Sequence, residues 1–226
     1  MNAIERILTP ENLKFMLLGA KYSLLIAIFA LIGGSVLGLL AAVAKMSKIK
    51  PARIIANIYV EVIRGTPMML QILVLYLCGP VITKALFNFV FTPNPVLVGI
   101  IAIAINSGAY SSELFRSAIQ SVDKGQWEAA QTIGLSYTQT MKEIIIPQAF
   151  KRILPPYINE FIVLIKDSSL LANIGAVELL HSAQVIGAKF YNYLVPLLCA
   201  TVMYLVVTLF ISFCARKLER RLAESD

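Results

Sequence analysis

Five stretches of this chain are long and apolar enough to pass through a lipid bilayer, and that feature leaves few folds open. A helix needs about 20 mostly apolar residues to cross roughly 30 Å of hydrocarbon. Lipid cannot hydrogen-bond to a free backbone, so spanning segments are helices or closed barrels. The stretches lie within Phe15–Ala44, Ile54–Gly79, Pro95–Ser117, Ile158–Leu180 and Tyr193–Ala215. The second is interrupted at Arg64-Gly65-Thr66-Pro67, and the second and fourth carry charges. Composition agrees with lipid as the solvent: 58% of residues are hydrophobic, 15% are charged, and mean hydropathy is +0.76. A soluble domain of this length could not hide so much apolar surface. The expectation is an all-α membrane protein with five transmembrane helices.

The basic residues write a topology. Lys45, Lys48, Lys50 and Arg53 follow the first stretch. Lys124, Lys142, Lys151 and Arg152 lie after the third, and Arg216, Lys217, Arg220 and Arg221 after the fifth. The other side holds Arg6, Lys14, Lys84 and Lys189. Positive charge collects on the cytoplasmic side of membrane proteins. The N-terminus is therefore expected outside and the C-terminus in the cytoplasm, with the polar segment 121–156 cytoplasmic. The net charge of +7 reflects these clusters rather than a nucleic-acid surface. Ala42-Val43-Ala44 resembles a signal-peptidase site, but the preceding apolar run is about twice a signal core, so a retained span is expected. Cys78, Cys199 and Cys214 sit in or beside apolar runs without ligand spacing, and His181 is the only histidine. They read as packing residues, not as a disulfide or metal site. No internal repeat is visible.

The segment 121–156 carries the best local signals. Asp123-Lys124-Gly125-Gln126 starts a helix, with Asp123 as N-cap. Gly134 suits a left-handed C-cap, and Ser136-Tyr137-Thr138-Gln139 repeats the start signal. The second helix is expected to stop near Ile146, where Pro147 restricts it. The result is helix, glycine turn, helix: either an ordinary amphipathic connector or a compact knob for a cytoplasmic partner.

A longer pattern bears on that choice. Glu128-Ala129-Ala130, Gly134, Ile144, Ile146 and Pro147 resemble the EAA loop of ABC importer permeases, with Ile146 where leucine is usual. Arg64-Gly65-Thr66-Pro67, Lys124-Gly125-Gln126-Trp127, Leu154-Pro155-Pro156 and Lys166-Asp167-Ser168-Ser169-Leu170 resemble the polar amino acid branch of that superfamily. The resemblance covers roughly residues 20–211. It implies a permease subunit in the bacterial cytoplasmic membrane that pairs with a second permease, identical or closely related. Each would lay its EAA helix (Glu128, Ala129, Ala130, Gly134, Ile144, Pro147) into one of two cytoplasmic ATP-binding cassette ATPases. An extracytoplasmic amino-acid-binding protein would deliver the substrate. ATP would be bound by the ATPases, and this chain has no GxxxxGK[ST] phosphate loop. The chain would need no cofactor and would not be an enzyme.

Charges within spans require partners or a water-lined path, since each costs at least about 2.5–3.5 kcal/mol in the bilayer centre. Glu61 and Arg64, and Glu113 and Arg116, are three apart and suited to local pairing, and Lys166 adjoins Asp167. Asn106, Tyr110, Glu113 and Ser117 form one polar stripe, and Asn159, Lys166, Ser169 and Asn173 another. Such stripes face a subunit interface or a translocation path. A zwitterionic substrate needs donors and acceptors. The candidates are Asn106, Tyr110 and Asn159, with Glu113 and Glu160 as acceptors; Lys166 and Asp167 either join them or pair with each other. Glycines 19, 33, 34 and 38 are expected at close helix contacts. A membrane-embedded enzyme is the weaker alternative, lacking an acidic metal cluster or Ser-Lys dyad; a channel or secondary transporter would work without ATP.

Overall fold

The computed structural model describes residues 3–223, with side chains for 5–220, and every regular element in it is helical. In chain order they are α1 (Ala3–Ile7), α2 (Pro10–Met46), α3 (Lys50–Arg64), α4 (Met68–Phe87), α5 (Pro95–Gln120), α6 (Lys124–Thr132), α7 (Tyr137–Thr140), α8 (Ile146–Asp167), α9 (Leu179–Phe190) and α10 (Leu194–Ala223). Among the described residues, α2, α4, α5 and α10 are long and apolar enough to cross a membrane.

Side-chain caps start the long helices. Thr9 accepts from the Asn12 N–H ahead of Pro10, and Asn94 accepts from Val96 and Leu97 ahead of Pro95. Proline fits the first helical turn because its missing N–H would be unpaired there anyway. Deeper prolines are accommodated differently. Gly79-Pro80 and Ile146-Pro147 each follow a widened π-helical turn, Val74–Cys78 and Met141–Ile145. A proline ring clashes with the carbonyl four residues back. Here those carbonyls belong to Tyr76 and Glu143, inside the widened turns. The helix therefore passes through Pro147 instead of ending there, which corrects the expected stop near Ile146.

Two expected spans are also redrawn. The stretch Ile54–Gly79 is two helices, α3 and α4, parted at Gly65–Pro67; Pro67 is extended (φ −64°, ψ 131°) and the apolar helix begins at Met68. The Gln71 amide occupies the break, donating to the Ile63 and Thr66 carbonyls (2.8 and 3.2 Å) and to Thr66 Oγ1 (2.8 Å). The stretch Ile158–Leu180 is not one helix. α8 starts at Ile146 and ends at Asp167, followed by tighter 3₁₀ turns over Ser168–Ile174 and a left-handed Gly175 (φ +76°). Ser168 Oγ bonds the Ile165 carbonyl at 2.7 Å, a local bond that competes with continued α-helix. The other three stretches lie within α2, nearly fill α5, and open α10.

The centre is the contact of α2 with α5. An added Cβ on Gly34 would stand 2.9 Å from the Ser107 Cβ, and one on Gly38 2.6 Å from the Ser111 Cβ. Gly108 in turn meets Leu37 and the Tyr59 hydroxyl. Around this seam Ile26, Ala30, Ile72, Ile103, Leu164 and Leu171 are buried together. A second cluster joins α1, α2, α9 and α10. It encloses Glu178, fully buried at 0% exposure, whose carboxylate caps α9 through the Leu180 and His181 N–H groups and accepts from Tyr204 at 2.7 Å and Ser23 at 3.3 Å. By contrast, α4 and α10 leave Leu86, Phe87, Phe210 and Phe213 more than 60% exposed, surfaces suited to lipid or another apolar chain.

Gly38→Val is expected to force α2 from α5, because the Ser111 Cβ lies inside contact distance. Overpacking of this kind costs about 1–3 kcal/mol. Thermal unfolding in detergent should show a lowered midpoint, while Gly134→Ala, with nothing within 4 Å of the added Cβ, shows a smaller drop arising from backbone strain alone. An unchanged midpoint for Gly38→Val would contradict the seam.

Candidate functional site: a polar path and a helical knob

The knob forms as its signals require. Asp123 accepts from the Gly125 N–H at 2.7 Å, and Ser136 and Gln139 make a reciprocal capping box. Gly134 adopts φ +79° and Leu135 N–H returns to the Ala130 carbonyl at 3.0 Å, so the turn is a left-handed helix end. Ala130 is buried at 1% exposure, whereas Glu128 and Ala129 point outward. Trp127 stacks on Tyr137 with ring centroids 5.8 Å apart, and a cluster of Ala118, Val122, Ile145, Ala149 and Ile153 lies beneath, with Ile144 packed against it. Arg152 clamps the Ser121 carbonyl, and Gln148 reaches Gln126 at 3.2 Å. Pro147 is exposed, as are Ile133 (73%) and Tyr137 (71%) on the outer surface. The knob is thus a braced unit with an apolar tip, continuous with α8.

Inside the bundle the polar stripe of α5 is assembled in two tiers. In the inner tier, Asn106 is buried and donates to Gln71 Oε1 at 3.0 Å, tying the α3–α4 break to α5. One residue on, Ser107 donates to Glu160 Oε1 at 2.8 Å. In the outer tier Glu113 is saturated: Lys45 binds Oε1, and Arg116 binds Oε2 through Nη2 (2.6 Å) and Nε (3.0 Å). Tyr110 is 41% exposed and lies under the Arg64 guanidinium, 5.1 Å from the ring centre.

The pairing expected of charged neighbours therefore holds in one case of three. Glu113 and Arg116 pair; among the described residues no ion pair joins Glu61 to Arg64, or Lys166 to Asp167. The Arg64 side chain turns to an aromatic face instead, and Lys166 is exposed while Asp167 is half-buried. The second stripe is also shortened: Asn159 and Lys166 share an exposed face of α8, but Ser169 and Asn173 fall in the 3₁₀ turns. Among the described residues, Asn173 bonds only the nearby Leu170 carbonyl.

Two residues escaped the sequence reading. Gln71 belongs to no motif; its cue is the unpaired backbone that a Gly-Thr-Pro break must leave nearby. Glu178 falls inside the stretch Ile158–Leu180, although a glutamate three residues before His181 at a helix start is a capping arrangement.

Comparison with known proteins fits this geometry. Residues 34–224 match the family described as binding-protein-dependent transport system inner membrane component. The L-cystine transport system permease protein TcyB of Bacillus subtilis (strain 168) is 40% identical over 90% of this chain and 85% of its own length. The arginine transport system permease protein ArtQ of the same organism is 36% identical over 96% of this chain and 97% of its own. A crystal structure of an amino acid ABC transporter with histidines superposes with a TM-score of 0.86 at 37% identity, covering 93% of this chain and 95% of that one. With the match spanning nearly the whole bundle, from the α2–α5 seam through the knob to α10, the chain belongs to the family of binding-protein-dependent transport system inner membrane components.

Proposed function

We propose that this chain is the transmembrane permease subunit of an ATP-driven importer that moves a polar amino acid across the bacterial cytoplasmic membrane. The observation that carries the reading is the braced knob at residues 123–140 in a chain that aligns over 90–96% of its length with amino acid permeases. A permease has no use for an ATP site of its own. It needs a rigid projection that a motor can push, and an exposed apolar tip around Ile133 and Tyr137 suits burial in a protein groove. Glu128, Ala129, Ala130, Gly134, Ile144 and Pro147 form or support that contact with one of two ATP-binding cassette ATPases, which bind the ATP. A second permease, identical or related, covers apolar surface left on this one. An extracytoplasmic amino-acid-binding protein supplies the cargo.

Five helices cross the bilayer on this reading: α2, α4, α5, α8 and α10. α8 falls short on composition but not on length, since 22 residues rising 1.5 Å each span about 33 Å. The N-terminus is outside and the C-terminus cytoplasmic, which places the knob and the basic clusters together inside. Substrate passes between α5 and α8, past Asn106, Tyr110, Asn159, Glu160, Lys166 and Asp167. Glu113 is held by two cations, so Glu160, with a single serine donor, is the acceptor better placed for an ammonium.

Three tests follow from these assignments. In a cysteine-free background, single cysteines replacing Lys50, Lys142 or Lys217 should resist a membrane-impermeant thiol reagent in intact cells, whereas replacements of Asn94 and Asn192 react; labelling at Lys142 from outside would overturn the orientation. Gly134→Asp places a costlier residue at positive φ and a charge at the contact, and Glu128→Lys reverses the charge near the start of α6. Both should leave membrane insertion intact and abolish ATPase attachment or substrate-stimulated hydrolysis, and wild-type transport would refute the coupling role. Glu160→Gln should raise the substrate concentration for half-maximal uptake about ten- to a hundredfold with basal ATP hydrolysis unchanged, the loss of one charged hydrogen bond being about 1.5–3 kcal/mol. Unaltered uptake kinetics would remove Glu160 from the path.

A further inference from the structure

A cleft of about 750 Å³ opens at the end of the bundle where α2 and α5 terminate, with Lys45, Glu61, Arg64, Tyr110, Glu113 and Arg116 around its wall and Gln120 at its rim. The charges on this wall fall into two groups. Lys45, Glu113 and Arg116 satisfy one another, and Arg116 spends a further donor on Gln120 at 2.7 Å. Glu61 and Arg64 do not: both are exposed, they stand one helical turn apart on α3, and neither is in an ion pair among the described residues. Opposite charges at this spacing have Cβ atoms about 5–6 Å apart and ordinarily close on each other. Here the Arg64 guanidinium lies over the Tyr110 ring, and among the described residues no hydrogen bond engages its edge donors. The α3 backbone is anchored too, by Tyr59 donating to the Ile105 carbonyl at 2.6 Å and by Gln71 across the break.

A carboxylate acceptor and a fork of donors one helical turn apart on α3, not paired with each other, match the head of an α-amino acid, whose ammonium and carboxylate share one carbon. We infer that this cleft is a second binding site, separate from the Asn106–Glu160 tier, that takes the zwitterionic head of an amino acid: Glu61 holds the ammonium and Arg64 the carboxylate. The wall carries three cations against two carboxylates, which favours entry of the carboxylate end. The inference rests on the importer reading, under which this end of the bundle is cytoplasmic and the site is the last one a substrate visits before release. Recognition is confined to the head, so amino acids with different side chains share it.

The experiment uses the complete nucleotide-free complex in nanodiscs, with Cys78, Cys199 and Cys214 replaced by Ala and Gln120→Cys as reporter at the rim. The rate of modification by a water-soluble methanethiosulfonate reagent is measured against added L-glutamine or L-arginine. Two analogues each lack one half of the head: 4-aminobutanamide has no carboxylate, and N-acetyl-L-glutamine has no ammonium. Either amino acid is expected to slow modification, and the analogues are not. Arg64→Gln and Glu61→Gln should each raise the half-protecting concentration about tenfold or more, since each removes a charged hydrogen bond. Absence of protection by both amino acids, or equal protection by either analogue, overturns the proposal without recourse to the variants. ATP-driven uptake of a panel of labelled polar amino acids, these two included, into proteoliposomes separates the two levels: uptake without protection removes the cleft site alone, while no uptake of any member of the panel removes the importer reading.

Discussion

The close approach of α2 and α5 is the constraint from which the remaining packing follows. Lipid tails are as apolar as leucine, so burial of hydrocarbon gives helices in a bilayer little reason to associate. What remains is van der Waals contact between backbones, and contact of that quality requires side chains no larger than glycine, alanine or serine at the seam. Gly34 and Gly38 face Ser107 and Ser111, and Gly108 admits Leu37 and Tyr59 from two sides. With the two helices locked, Asn106 and Ser107 are fixed in height and rotation, and every polar contact of the inner tier is set by them: Asn106 to Gln71, Ser107 to Glu160. On the proposed function, the path is therefore positioned by the packing of the α2–α5 seam.

The second principle is satisfaction of polar groups where water is scarce. A broken helix within apolar surroundings leaves carbonyls that must find donors. The α3–α4 break is closed by one glutamine amide serving Ile63 and Thr66 while its oxygen is used by Asn106. Glu178 solves the related problem at a helix start, where two N–H groups and two hydroxyls converge on one carboxylate. Removing one partner from such a knot leaves a buried group unpaired, a larger loss than the bond itself. This explains why α9 can sit firmly between α2 and α10 although it is too short to span.

What could be read from the sequence divides along a physical line. Signals that act within one turn were legible: the Asp123 cap, the Ser136–Gln139 box and the left-handed Gly134 all formed as their residues require. So were the apolar runs of α2, α5 and α10, because length and hydropathy alone decide them. Proline was misread. Pro147 looked like a stop, yet a π-helical turn absorbs it, an accommodation that depends on tertiary support and has no local mark. The run 158–180 looked like a span because hydropathy does not register where Ser168 and Gly175 unwind a helix. Charge pairing was the least legible, since three-residue spacing permits Glu61 and Arg64 to meet, and the spacing does not reveal that Arg64 instead lies over Tyr110 of α5.

The misread proline also bears on how force would travel. A helix stopping at Ile146 would join the knob to the bundle through a flexible joint, and a push on the knob would be lost in bending. The observed chain instead runs without interruption from Tyr137 through the π turn into α8 and on to Asp167. Thr140 and Glu160 are twenty residues apart, so at 1.5 Å per residue the knob lies about 30 Å along the same rod from the carboxylate at the inner tier. Trp127 on Tyr137 and Arg152 on Ser121 brace that rod against α6 and the end of α5. On the proposed function, a movement imposed at the cytoplasmic tip is carried along this helix, past Pro155 and Pro156, toward Glu160, while Ser107 stays with the α2–α5 seam. The Ser107–Glu160 bond would then join the part that moves to the part that does not, and the motor's stroke would act on it.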